Sequence, residues 1–144
     1  MKKFKFRLER ILEYRKLIKD EKAKELILAR NKLYADEAHL EELERARLNN
    51  ILQSDILTAE ELQMVGLYAD RLKRDIERQK KVIIESEKAV EKAQEIYIEA
   101  AKDEESLAKL KERRRSEYLA YIEKEELKNI DEMNTQRAGF EKVY

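Results

Sequence analysis

The chain's only histidine, His39, follows Asp36 at the i, i+3 spacing that puts an acid and an imidazole on one helix face, where they could share a metal ion or a proton. A di-metal helical site needs several such carboxylates and a second imidazole, and neither accompanies this pair. The plainer reading of His39 is a solvated surface residue. The sequence has 0 Cys, which excludes disulfides, thiolate metal ligands and cysteine nucleophiles. Its 2 glycines stand isolated at Gly66 and Gly139, so no glycine-rich loop can cradle a phosphate. The residue types therefore point away from an enzyme, and no cofactor or metal is expected.

Basic clusters are the remaining chemistry. Lys2, Lys3, Lys5 and Arg7 open the chain. Arg71, Lys73, Arg74, Arg78, Lys80 and Lys81 form a middle group, and Lys109, Lys111, Arg113, Arg114 and Arg115 a late one. Acids interleave with the first two, and a helix face of alternating charge is usually just hydrated. The late cluster is more concentrated and suits an acidic partner surface. Lys+Arg 32 balances Asp+Glu 32, so no global field favours nucleic acid or an anionic membrane, and binding to nucleic acid is not expected.

The elements that carry these groups must be helices. The chain is 144 residues long and 44% charged, with 0 Pro, which leaves almost no turn-makers for a sheet or loop-rich fold. Such charge density also requires a high surface-to-volume shape, so one all-α domain spanning the whole chain is expected. Apolar and small residues step by threes and fours through Phe4, Leu8, Ile11, Arg15, Ile18, Lys22, Leu26, Ala29, Leu33, Asp36, Leu40, Leu43, Arg47 and Ile51. This is a coiled-coil seam with polar interruptions and a stutter at Lys22, predicting a first helix from about residue 4 to about residue 53. Thr58 then reads as an N-cap, with Glu61 completing a capping box and Leu57 and Leu62 at the staple positions, which puts a turn at about 54–58. A stricter seam follows through Leu62, Val65, Ala69, Leu72, Ile76, Gln79, Ile83, Ser86, Val90, Ala93, Tyr97, Ala100, Glu104 and Leu107. The second helix is predicted over about 59–136, with Gly139 as its stop.

Two helices joined by a short turn make a long antiparallel coiled-coil hairpin, and at 1.5 Å per residue their lengths, about 75 Å and about 115 Å, do not match. A turn centred near residue 56 sets Leu40 by Leu72, Leu33 near Ile76 and Gln79, Leu26 by Ser86 and Phe4 near Leu107. Residues after about 112 then overhang the first helix, and their apolar side chains, Tyr118 and Tyr121 among them, imply another chain. Arg15, Lys22, Arg47 and Gln79 in the seam either fix register or keep the hairpin loose enough to rearrange. Tyr14 and Tyr68 fall beside the seam, as partner anchors or as rings that cover it. No stretch is apolar enough for a signal peptide or a membrane span, so direct membrane insertion is not expected.

The opening Phe4-Lys5-Phe6-Arg7-Leu8-Glu9-Arg10-Ile11-Leu12-Glu13-Tyr14-Arg15-Lys16, the capped turn, and the late Leu110-Lys111-Glu112-Arg113 with Tyr118, Glu125, Lys128 and Asp131-Glu132 resemble the flagellar FliJ export family. That resemblance implies a cytoplasmic component of the type III export apparatus, peripherally associated with the membrane at the flagellar base. It also implies a hairpin similar to the central stalk of rotary ATPases. In such proteins the termini end enters the hexameric export ATPase and promotes its activity, the hairpin tip faces the membrane export gate, and export chaperones are escorted between cargo cycles. Carried over by position, the ATPase contact falls on Phe4, Arg7, Leu8, Ile11, Arg113, Arg114, Tyr118 and Tyr121. The gate contact falls on Leu43, Tyr68, Leu72 and Gln79. Aromatic residues of some relatives on the first helix are Ala46 and Asn50 here, which implies a gate contact that is weaker or placed differently.

Competing readings are a stalk subunit of a related secretion or rotary ATPase, a self-associating structural coiled coil, and a helical arm that contacts tRNA through the face from Arg71 to Lys81. A stalk is expected to be monomeric on its own at micromolar concentration, whereas a structural coiled coil is not. The tRNA arm predicts salt-dependent RNA binding, which the zero net charge makes the weakest of the three.

Overall fold

The computed structural model describes residues 3–53 and 58–143, with side chains described as far as residue 140. Two helices carry almost all of it, α1 over Glu9–Leu52 and α2 over Ala59–Val143, packed against each other as an all-α hairpin. The turn expected at about 54–58 lies outside the described residues except for Thr58. That residue caps α2 as its sequence predicts: its hydroxyl accepts from the Glu61 amide at 3.3 Å, and its carbonyl from the Leu62 amide at 2.9 Å. Helix α2 passes through Gly139 to Val143, beyond the expected end near 136, and no described glycine has a positive φ. A glycine stops a helix by turning left-handed, and this one stays helical.

The chain divides into two compact units, one of residues 18–100 and one of residues 1–17 with 101–144. In the first, Leu26, Leu72, Ile76 and Ala100 are buried, and Leu33, Leu40, Leu43, Ile83, Val90 and Ala93 are half-buried. These are the seam positions read from the spacing. The register differs from expectation. Asp36 faces both Gln79 and Ser86: the Gln79 side-chain amide donates to the Asp36 carbonyl at 2.8 Å, and the Ser86 hydroxyl donates to the Asp36 carboxylate. Leu33 consequently lies with Ile84, Glu87 and Val90, not with Ile76 and Gln79. Near the turn Arg47 is exposed, as are Ile51 and Leu62, both 54%. Asn50 takes the seam position there, 8% exposed, donating to the Val65 carbonyl at 3.1 Å. It lies one heptad beyond Leu43, where a search for apolar residues passes over it.

In the second unit Leu12, at 1% exposed, is the seam residue, and its neighbour Ile11 is 46% exposed. Flanking ion pairs join Lys111 to Glu9 at 2.8 Å and Arg15 to Asp103 at 3.5 Å. Residues 3–8 are not helical, correcting the expected start near residue 4. Phe4, Phe6 and Leu8 are half-buried while Lys3, Lys5 and Arg7 are exposed, an alternation along a non-helical arm that ends in a turn at Arg7 and Leu8, where the Glu9 amide donates to the Phe6 carbonyl at 3.2 Å. Because the arm is not helical, it covers more of α2 per residue than the 1.5 Å a helix would advance. That carries Phe4 past the expected Leu107 to Tyr118, with ring centroids 5.6 Å apart. The paired part of α2 therefore continues through half-buried Ile122 and Glu125, and the stretch with every described residue exposed begins at 126, not near 112.

Candidate functional site

The arm and the facing turns of α2 enclose a groove of ≈ 620 Å³. Its apolar wall comes from Phe4, Phe6 and Leu8 on the arm with Leu110, Tyr118 and Tyr121 on α2. Its charge comes from Lys5, Arg7 and Arg114 against the single acid Glu117. Aromatic surface supplies apolar contact at low side-chain entropy, and three cations to one acid bias the rim toward an acidic partner. Tyr121 is 61% exposed, so its ring is available to a second molecule. Tyr118 is already half-covered by Phe4, and the tilted ring pair holds the arm on α2.

Of the residues expected to meet an ATPase, Phe4, Arg7, Leu8, Arg114, Tyr118 and Tyr121 line this one groove. Ile11 and Arg113 do not. Arg113 lies on the outer face of α2, 69% exposed and 4.0 Å from Glu117. Elsewhere in the late cluster Lys109 pairs with Glu105 at 3.2 Å and Lys111 with Glu9. Arg114 is thus the cluster's contribution to the groove. Phe6, Lys5, Leu110 and Glu117 were missed by the helical reading, although the alternation of Phe4, Phe6 and Leu8 with basic residues signals the arm.

The four residues expected at an export gate all belong to the unit of residues 18–100. Leu72, 3% exposed, and Gln79, 9% exposed, are turned into the seam, Leu43 is half-buried, and Tyr68 is 45% exposed. A partner approaching this face meets Tyr68 and not Leu72 or Gln79 while the seam is closed. Next to Tyr68 in sequence stand Met64 and Leu67, 72% and 64% exposed and off the seam.

The other chemistry-bearing residues are used locally. Asp36 is engaged by Ser86, while His39 is exposed and lies 3.8 Å from Glu42, so the Asp36-x-x-His39 spacing does not bring the two to a common ligand. Arg71 and Arg78 both reach Asp75, at 4.0 and 3.7 Å, the solvated ladder expected of the middle cluster. Among the described residues no group of three or more His, Cys, Asp or Glu side chains could hold a metal ion, and no helix is long and apolar enough to cross a membrane.

Comparison with known proteins places this architecture. A Chlamydia trachomatis protein described as a YscO homologue superposes with a TM-score of 0.52 at 21% identity, covering 99% of each chain, which is a likeness of fold. No curated protein matches the sequence. The family model of the flagellar FliJ protein matches residues 4–141, from the first groove aromatic to within two residues of the end of α2. The chain therefore belongs to the FliJ family of flagellar type III export.

Proposed function

We propose that this protein is a non-enzymatic, stalk-like component of the flagellar type III export apparatus, whose termini end binds the hexameric export ATPase and promotes its activity. The observation that carries the reading is the groove: six of the eight residues assigned to ATPase contact by family resemblance converge on one aromatic and basic surface. A surface of this kind suits an acidic, apolar-anchored face of a larger protein. The export gate is proposed to meet the other unit around Tyr68, and export chaperones to ride on the same chain between cargo cycles. Its place is cytoplasmic, peripheral to the membrane at the flagellar base, and it works as a single chain within the ATPase ring.

The test is co-sedimentation of the purified protein with the export ATPase from the same cell, together with ATP hydrolysis. Paired substitutions Arg114→Glu and Tyr121→Ala are expected to abolish both binding and stimulation while leaving helicity intact. Unaltered stimulation would remove the groove from the reading.

A further inference from the structure

The two helices begin differently. Helix α2 opens on Thr58, whose hydroxyl accepts from the Glu61 amide, a start written in the local sequence. Helix α1 opens at Glu9 with Leu8 in the cap position, where a leucine side chain offers no acceptor. Lys5, Phe6, Arg7 and Leu8 include neither proline nor glycine, so nothing local stops α1 from continuing toward Phe4. What ends it is contact with α2: Phe4, Phe6 and Leu8 are half-buried along the groove, and Phe4 packs on Tyr118. As a helix the same stretch would present a different apolar set. Phe4, Leu8 and Ile11 recur at helical steps of four and three, whereas Phe6 falls on the far side. Each arrangement therefore leaves one large side chain uncovered: Ile11, 46% exposed although its neighbour Leu12 is buried, in the arm as it stands, and Phe6 in the helix. Glu9 faces Lys111 and Arg15 faces Asp103. Prolonged by a helical arm, that pairing would bring Phe4 opposite about residue 115, short of Tyr118.

We infer that residues 3–8 are a two-state clasp: closed on α2 in the free chain, and open as a continuation of α1, with Tyr118 uncovered, when a partner occupies the groove. Charge sets the balance between the states. A helix begun near Phe4 holds Lys5 and Arg7 in its first turn, where the helix dipole disfavours cations, and the closed arm keeps both outside the helix. An acidic surface docking against Lys5, Arg7 and Arg114 removes that penalty while its apolar side chains take the place of Phe4 on Tyr118. Such a partner binds the open state better than the closed one, which is what shifts the population. Opening also gathers Phe4, Leu8 and Ile11 on one helix face, which the closed arm keeps apart. That the occupant is the export ATPase rests on the reading proposed above; that the arm has two states does not.

Amide exchange and backbone chemical shifts of the full chain test the two states without any partner. In the closed state the Arg10 and Ile11 amides stand in the first turn of α1, where a helix supplies no acceptor. Phe6→Ala weakens only the closed state, so the shifts of residues 4–8 should become helical and exchange at Arg10 and Ile11 should slow by roughly threefold or more. Glu9→Pro bars the open state, because proline suits a first helical position but not an interior one and holds Leu8 out of the helical region. Its control is Glu9→Ala, which loses the same ion pair with Lys111. Adding Glu9→Pro to Phe6→Ala should return the arm to non-helical shifts. With the export ATPase, Glu9→Pro should bind roughly tenfold more weakly than Glu9→Ala, and Phe6→Ala at least as tightly as the unsubstituted chain. Non-helical shifts in Phe6→Ala with unchanged exchange at Arg10 and Ile11 overturn the proposal. So does equal binding by Glu9→Pro and Glu9→Ala to an ATPase that the Arg114→Glu, Tyr121→Ala variant no longer binds. If that variant still binds, the groove reading falls instead, and the exchange experiment alone decides the clasp.

Discussion

Leu12→Ala and Ile11→Ala form a matched pair in which adjacent residues should behave oppositely. Leu12 is 1% exposed against α2, whereas Ile11 is 46% exposed. Truncating a buried leucine costs about 2–5 kcal/mol, and the low end applies here, because a seam between two helices has no enclosing wall and can close on the space left. About 2–3 kcal/mol is therefore expected for Leu12→Ala. At about 3–4 °C per kcal/mol for a chain of this size, Tm should fall by about 6–12 °C. Ile11→Ala loses part of one side chain's transfer energy and gains helix propensity, leaving under about 1 kcal/mol. Far-ultraviolet circular dichroism melts of both variants, compared with the unsubstituted protein, supply the measurement. Equal melting of the two variants, or the larger loss at Ile11, would refute the seam assignment in this unit and with it the placement of the arm.

Gly66 has nothing within 4 Å of where a Cβ would stand and no positive φ, so Gly66→Ala should stabilise the chain by about 0.5–1 kcal/mol in urea unfolding. Thr58→Ala removes the cap of α2 and should cost about 1 kcal/mol, with faster amide exchange in residues 59–62 as the local signature. Leu72→Ala and Ile76→Ala, at buried seam positions, should each cost about 2–5 kcal/mol by the same melts; near-unchanged melting would mean the seam runs elsewhere. Tyr118→Ala should release the arm, seen as faster proteolysis at Lys3, Lys5 and Arg7, while Tyr121→Ala leaves it protected.

The middle of the hairpin was legible in the sequence because its residues obey one period. Leu26, Leu72, Ile76 and Ala100 are apolar or small at seam spacing, and all four are buried. Gln79 and Ser86 are buried at the seam positions their spacing gives, but the facing residue is Asp36 and not Leu33 or Leu26, because hydrogen bonding to Asp36 sets the register. What failed was decided by tertiary contact. The helical period alone does not separate Ile11 from Leu12, and the packing of the two helices buries Leu12 and leaves Ile11 exposed. Phe4 and Leu8, four residues apart, fit a helix seam, but Phe6 between them does not, and the alternating arm wins because it half-buries all three. Once the arm is non-helical, Tyr118 changes from an overhanging residue into its packing partner. The groove was therefore half visible: the residue types were identified, but the geometry that unites them was not.

The most direct test is stimulation of the export ATPase by the full chain compared with the Arg114→Glu, Tyr121→Ala variant, each first shown to melt like the unsubstituted protein. A stalk that works through the groove stimulates hydrolysis only in the unsubstituted form, and the variant neither binds nor stimulates. Equal stimulation by both forms would show that the ATPase, if it is the partner, is met somewhere other than the groove between the arm and α2.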